Sequence, residues 1–374
     1  MATGENERMR VLVAMSGGVD SSVAAALLIE QGHDVVGATM KLWGGPSDSG
    51  CCSVADVADA RRVADKLGID HHTFDFTEDF EAAVVEPYAI AHREGRTPNP
   101  CAECNRHLKF RRFLDRARRL GFDAIATGHH AKVVRDAEGA PRLARGADRQ
   151  KDQSYVLAML GAEQLERTLL PVGDYAKSEI RAIAHRLLLP TADKADSQEV
   201  CFIARHGTTA GRQRFLEQRI ALHPGRVLDK RSGEYLGAVP AVELVTIGQR
   251  RGLGLRGGLV GENGASRRYA LGVDVATGTV LVGGEEELAT RFWPLSQWTA
   301  VGARLPVGAT VEAQASAHGR PRRGVLEPSG VRLAEPARRV APGQLVACYV
   351  GDEVVASGVV TAASSVPPGP RADA

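Results

Sequence analysis

Residues Met9 to Glu30 read MRVLVAMSGGVDSSVAAALLIE. The apolar, β-branched run Val11-Leu12-Val13 continues through Ala14 and Met15. It breaks into the small-residue loop Ser16-Gly17-Gly18-Val19-Asp20-Ser21-Ser22, and a helix-type run of Ala and Leu follows. A strand, a glycine turn and a helix start in that order build a phosphate cradle. The glycines let backbone N–H groups approach an anion, and the helix start adds about half a positive charge. The loop lacks the Gly-Lys-Ser/Thr that follows a terminal phosphate in P-loop enzymes. It also lacks the GxGxxG spacing of dinucleotide folds. It therefore suits a pyrophosphate that stays behind while AMP goes elsewhere. A serine-capped turn that binds nothing is the competing reading, but two adjacent glycines with Asp and three serines are hard to explain by packing.

The rest of the first half alternates strand-like and helix-like runs. Asp34 to Met40 is β-type. Val54 to Leu67 repeats apolar residues at helical spacing and closes at Gly68. Leu108 to Leu120 is amphipathic and ends at Gly121, and Asp123 to Thr127 is a short buried-type strand that runs into Gly128. This βα alternation predicts a doubly wound parallel sheet, with ligands at the carboxyl ends of its strands. The texture changes near Phe215. From there to Val359 short β-type runs are broken by glycine, as in the hairpin signal Tyr269 to Val275, Ala276-Thr277-Gly278, Thr279 to Val282. The expected division is an α/β domain over 1–214, a small β-rich domain over 215–288, a barrel-like β domain over 289–363 and a disordered tail over 364–374.

Composition narrows the function classes. With 374 residues, 44% hydrophobic and 25% charged, the chain has ordinary globular composition and a large core. A net charge of +2 leaves any nucleic-acid role to local clusters. No window approaches the roughly 20 apolar residues of a membrane span. The polar start MATGENERMR has no apolar signal core, so a cytoplasmic protein without membrane partners is expected. The six cysteines, Cys51, Cys52, Cys101, Cys104, Cys201 and Cys348, then read as thiols, metal ligands or catalysts rather than structural staples.

The second informative stretch is Thr97-Pro98-Asn99-Pro100-Cys101-Ala102-Glu103-Cys104-Asn105. Its prolines impose an extended loop. The segment Arg106 to Leu120 that follows carries seven Arg or Lys. Cys104 thus sits near a helix start beside Arg106 and Lys109, which favours thiolate. The CxxC could be redox, half of a zinc site or part of an iron–sulfur site. Cys51-Cys52 has the wrong spacing for a second pair, and the better third cysteine is Cys201 in DSQEVCFI, whose apolar neighbours suggest a strand end. The basic run reads equally as a solvated face or a phosphate-backbone contact. His129 and His130 follow a strand end. Lys151-Asp152-Gln153-Ser154-Tyr155 precedes an apolar helix. TIGQRRGLG, residues 246 to 254, is a flexible RNA-contacting loop or a tight turn.

The Ser16–Ser22 loop resembles the PP-loop of ATP pyrophosphatases, enzymes that adenylate a substrate oxygen. The ordered set AMSGGVDSS, Met40, GRTPNPCAECN, ATGHHA, KDQSYVL, DSQEVCFI, TIGQRRGLG and APGQ resembles the bacterial tRNA-specific 2-thiouridylase family from residue 14 to residue 344. The resemblance implies ATP-dependent 2-thiolation of the wobble uridine of tRNA. Ala14, Met15, Ser16, Gly17, Gly18, Val19, Asp20, Ser21, Ser22, Met40 and Gly128 would hold ATP, with Asp20 near Mg2+. Cys201 would carry sulfur as a persulfide and Cys104 would liberate it, and a Cys104–Cys201 disulfide would close the cycle. Asn99, Pro100 and Cys101 would meet the flipped base, and His129, Lys151, Asp152, Gln153 and Gln344 would contact tRNA. A cysteine desulfurase or relay protein would supply persulfide or sulfide. Many family members carry Asp where this chain has Cys101, so Cys101, Cys104 and Cys201 could instead ligate a 4Fe–4S cluster. Relatives often show an arginine-bearing strand where this chain reads Ala315-Ser316-Ala317-His318, with Arg320 and Arg322 close by. A PP-loop amide ligase acting on a small metabolite is the alternative enzyme, and a non-catalytic metal- or RNA-binding protein the alternative class. The three cysteines and the β domains argue against the ligase, and the intact loop against a non-catalytic protein.

Overall fold

The strand β1 (Arg10–Ala14) lies between β2 (Asp34–Lys41) and β4 (Ala124–Thr127), and β3 (His71–Asp75) and β7 (Thr168–Leu169) form the outer strands. All four pairings are parallel, in the order β3-β2-β1-β4-β7. The computed structural model describes residues 8–43, 53–196, 200–203, 209–255, 267–300 and 307–362. Cys51, Cys52, the Ser197-Gln198-Glu199 part of the Cys201 motif and the expected tail lie outside these.

Alternation along β1 explains why the sheet is covered twice. Val11, Val13 and Met15 join one apolar cluster with α1 (Val19–Glu30), while Leu12 and Ala14 join another with Val36, Ala38 and Met40. A parallel sheet needs both faces buried, and a β-strand's period of two supplies both from one run. Alanines at positions 24 and 25, fully buried, let α1 sit close to the sheet. The helix α2 (Val54–Leu67) ends at Gly68 as its periodicity predicts, with a Ser53–Asp56 capping box at its start. The chain winds outward from β1 to β3, then restarts at β4 on the other side. The carboxyl ends of β1 and β4 therefore flank the switch point where open α/β sheets bind ligands.

The four-stranded sheet contains β8 (Gly225–Asp229), β9 (Tyr235–Val239), β10 (Tyr269–Asp274) and β11 (Thr279–Gly283) in the order β10-β11-β8-β9. The hairpin read from Ala276-Thr277-Gly278 is the β10–β11 pair. The last strands are β12 (Ala289–Ala300), β13 (Thr310–Gln314), β14 (Arg322–Glu327), β15 (Gly330–Arg338), β16 (Leu345–Val350) and β17 (Glu353–Val360). They pair as β12-β15-β14-β13-β16-β17, and β12 also pairs with β17, which closes a six-stranded barrel. Its interior holds Trp293, Leu295, Val311, Leu326 and Cys348. Burial pushes the Cys348 thiol up to about 12, so it stays a protonated core residue.

One feature crosses the sequence-level division. A hairpin of β5 (Ala131–Arg135) and β6 (Pro141–Arg145) grows from the α/β segment and lies on β17 through Glu353 and Ala144. Among the described residues, no helix is long and apolar enough to cross a membrane.

Candidate active site

The loop after β1 is held open by its own hydroxyls. Ser21 Oγ accepts from Ser16 N at 3.2 Å and donates to Gly18 O at 3.1 Å, and Ser22 Oγ donates to Gly18 O at 2.8 Å. Gly17 has φ +70°, and a Cβ there would stand 2.3 Å from the Asp56 carbonyl oxygen at the start of α2. Gly128, after β4, approaches α1 so closely that a Cβ would lie 2.5 Å from Ser21 N. Both glycines are thus fixed by sterics, and together they bring the β1 loop and the β4 end onto one helix start. Ser16 is exposed beside this cradle, while Ala14, Met15 and Val19 are buried beneath it. Met40, at the end of β2, shares an apolar cluster with Ala14.

A charged ring that sequence reading missed surrounds Asp20. Lys177 Nζ, from the Lys177–Arg186 helix, donates to both Asp20 oxygens at 2.7 and 2.8 Å. His130 Nε2 lies 3.1 Å from Asp20 Oδ1, and its buried Nδ1 has no hydrogen-bond partner among the described residues. Burial alone would raise the Asp20 pKa, but the bonds from His130 and Lys177 outweigh it and hold the carboxyl below its usual range. Lys177 also reaches Asp196 at 2.9 Å, which pairs further with Lys151 at 2.8 Å and Arg181 at 3.0 Å. The loop carries no lysine of its own, and the fold delivers one from far along the chain. Nothing in the sequence around Lys177 marks it as a partner of the loop.

On the thiol side, Asn99 Oδ1 caps the Pro100–Cys104 helix by accepting from Cys101 N at 3.1 Å and Ala102 N at 3.2 Å. That helix runs on without a break through a π-helical segment, Asn105–Arg112, into Phe113–Arg119. The predicted amphipathic helix is therefore longer at its start, and Cys104 lies about one turn inside it. Several of its basic residues are engaged: Arg112 pairs with Asp79 at 2.6 Å and Arg118 with Glu163 at 3.4 Å. Pro100 and Cys104 are buried and Cys101 is exposed. Gln344 Nε2 donates to Thr97 O at 2.5 Å, so the barrel domain holds the proline loop in place.

Cys201 is half-buried in a turn, Val200 to Ile203, and not at the strand end expected from its neighbours. Those apolar neighbours serve anchoring instead. Phe202 packs on Phe215, Tyr88, Phe80 and Trp43 with ring centroids 5.0 to 6.3 Å apart. Val200 has φ +51°, a costly conformation for a β-branched residue. Cys104 belongs to the apolar cluster that Cys201 packs against, the same cluster that contains Ala14 and Met40. No disulfide joins Cys104 and Cys201 in this structure. Among the described residues no three His, Cys, Asp or Glu side chains form a group that could hold a metal ion, Cys101, Cys104 and Cys201 included. The 4Fe–4S expectation does not fit this arrangement of the described residues.

Of the expected tRNA contacts, Lys151 is exposed. His129 is buried, bonded to Thr127 Oγ1 at 2.8 Å, and desolvation drives its pKa well below the usual value, so it is neutral. Gln153 Oε1 accepts from His130 N at 2.9 Å. Asp152 differs from Lys151 in its surroundings. Its side chain is 4% exposed and its oxygens are taken by Arg145, Gly146 N and Ser154, so it organises the interior. The TIGQRRGLG segment is a tight turn bonded to β10 through Gly248 N–Ala270 O and Ala270 N–Gln249 O, with Arg250 and Arg251 exposed.

Three family models match the chain: tRNA methyl transferase HUP domain over residues 9–205, tRNA methyl transferase PRC-barrel domain over 213–284, and aminomethyltransferase beta-barrel domain over 304–360. The chain is 45% identical to the tRNA-specific 2-thiouridylase MnmA of Mycobacteroides abscessus, over 94% of this chain and 99% of that protein. It is 42% identical to the protein of that name from Chloroflexus aurantiacus, over 93% and 97%. Among solved structures, a 4-thiouridine synthetase–RNA complex with bound ATP aligns at TM-score 0.34 and 18% identity over 56% of this chain and 50% of that one, a likeness too slight to build on. The near-complete coverage of both chains is what decides the matter: this chain belongs to the tRNA-specific 2-thiouridylase family.

Proposed function

We propose that the protein replaces the C2 oxygen of the wobble uridine in tRNA with sulfur, using ATP. The carbonyl oxygen attacks the α-phosphorus of ATP, and the bond to the β-phosphate oxygen breaks. Pyrophosphate stays in the Ser16–Ser22 cradle. The uridine O2-adenylate then has AMP as its leaving group. Cys201 carries the transferable sulfur as a persulfide received from an upstream donor, and Cys104 attacks the inner sulfur. The outer sulfur leaves as the nucleophile for C2, AMP departs, and a Cys104–Cys201 disulfide remains for external reduction. Asp20 would hold Mg2+, which neutralises phosphate charge and typically needs one or two carboxylates besides the phosphates. Asn99, Pro100 and Cys101 form the wall for the flipped base. Exposed Lys151 suits RNA contact, and a tRNA substrate places the work in the cytoplasm.

What supports this reading is the full-length relatedness to 2-thiouridylases, with Cys104, Ala14 and Met40 in one extended apolar core that joins the thiol helix to the strands before the phosphate loop. An amide ligase would need no thiol in that place. The test is AMP release from ATP with and without tRNA, with thiouridine measured by mass spectrometry. Release should depend on tRNA. Cys104→Ser and Cys201→Ser should each abolish thiouridine while leaving ATP binding intact. Release indifferent to tRNA would refute the proposal.

A further inference from the structure

We infer that Gln344 is a positioning residue that acts on the target base through Thr97, so that the barrel sets the rate of the chemical step and not the grip on RNA. The inference rests on the proposed function and gives the barrel a part in it. All three polar groups of Thr97 meet the β-rich parts of the chain. Thr97 N donates to Pro342 O at 2.8 Å, Thr97 O accepts from Gln344 Nε2 at 2.5 Å, and Thr97 Oγ1 lies 3.2 Å from Thr246 Oγ1. The backbone of Gly343 packs directly on Thr97. Its φ is +91°, and a Cβ there would stand 3.1 Å from the Thr97 carbonyl carbon.

The turn that holds Thr97 is itself fixed. Gly343 N donates to Val360 O at 2.8 Å and Val360 N to Gln344 O at 2.8 Å, which ties the turn to β17. Leu345 O, one residue on, accepts from the buried Tyr155 Oη at 2.8 Å. The first segment thus grips the turn at Leu345, and the turn grips the first segment at Thr97. From Thr97 the placement travels along a stiff backbone. Thr97 and Asn99 each precede a proline, which restricts both to extended conformations, and the rings of Pro98 and Pro100 fix φ at about −65°. Asn99 holds φ −101° and ψ 96°, and its Oδ1 accepts from Cys101 N and Ala102 N. Few soft torsions therefore separate the Gln344 contact from Asn99, Pro100 and Cys101. A shift at Thr97 moves the wall proposed for the flipped base.

The experiment compares the wild-type full chain with Gln344→Met, which keeps the length of the side chain and loses its donor. Affinity for tRNA is measured by filter binding. The rate of pyrophosphate formation from γ-labelled ATP is measured by acid quench in a single turnover, at saturating tRNA and ATP. Gln344→Met should lower that rate about tenfold or more, towards the roughly hundredfold that a misplacement of about 1 Å can cost, with tRNA affinity unchanged. Hydrogen exchange over residues 97–104 should quicken while β1 and β16 keep their protection. Gly343→Ala leaves the Gln344 side chain in place and crowds Thr97, and it should lower the rate too, again at unchanged affinity. A loss of tRNA affinity in Gln344→Met marks a direct RNA contact and overturns the inference while leaving the proposed function standing, and so does an unchanged rate. Pyrophosphate formation by the wild type that ignores tRNA overturns the proposed function and the inference with it.

Discussion

Asp196 gathers three cations, and its titration should be visible in stability. Burial opposes its charge, but the bonds and charges of Lys151 and Lys177 hold its pKa at about 2, below the ordinary 3.8. A carboxyl depressed on folding stabilises the fold above its unfolded pKa and loses that contribution as pH falls through the folded value. Asp196→Asn should therefore be less stable than wild type at pH 5 to 7, with the difference fading between about pH 4 and pH 2. Urea unfolding across that range checks it, and a difference that persisted unchanged at the acid end would contradict the assignment. The residue scale also separates two neighbours that sequence placed together. Lys151 projects into solvent towards Asp196, whereas Asp152 turns inward.

At the scale of elements, two glycines set how α1 meets the sheet. Gly17→Ala puts a side chain at φ +70° and a Cβ 2.3 Å from a backbone oxygen of α2. The strain alone costs about 1–3 kcal/mol, and relief requires the loop to leave α2. Gly128→Ala drives a Cβ into the backbone at Asp20 and Ser21, forcing β4 and the start of α1 apart. Both variants should lose nucleotide binding by calorimetry. Gly128→Ala should do so with the barrel domain intact, because β4 has no partner strand there. Retained nucleotide affinity in either variant would show that the cradle tolerates a wider loop than its geometry implies.

Across the whole molecule, a buried polar network welds the first segment to the barrel. Arg145 at the end of β6 pairs with Asp152 at 3.0 Å, donates to Gln314 at 2.8 Å and stacks over the Tyr349 ring at 3.6 Å. Ser154 Oγ meets Tyr349 Oη at 3.1 Å, and Tyr155 Oη donates to Leu345 O at 2.8 Å. Arg145→Met leaves the Asp152 carboxylate buried without its cation, which should cost about 3–5 kcal/mol. Chemical denaturation should register the loss. A cost near that of an exposed pair, below about 1 kcal/mol, would mean that the domains are held by other contacts.

The local sequence determined what short-range chemistry can specify. The β1–loop–α1 unit, the α2 boundary at Gly68 and the β10–β11 hairpin were legible because apolar period, glycine and caps act over a few residues. The cysteines and the Asn99 loop were legible as chemistry for the same reason. Cys201 was misread as a strand end because apolar neighbours mark burial without saying whether a sheet or an aromatic cluster buries them. The burial of Asp152 was not legible, because polarity cannot tell a residue that faces solvent from one that is satisfied inside. The tertiary structure alone decided that Lys177 meets Asp20, that β5 and β6 extend the C-terminal sheet, and that Gln344 steadies Thr97. These pairings join residues 157, 209 and 247 positions apart, from Asp20 to Lys177, Ala144 to Glu353 and Thr97 to Gln344. Over such separations only the packed sheet and the closed barrel bring the partners together, because ion pairs and hydrogen bonds act over a few ångströms and carry no address along the chain.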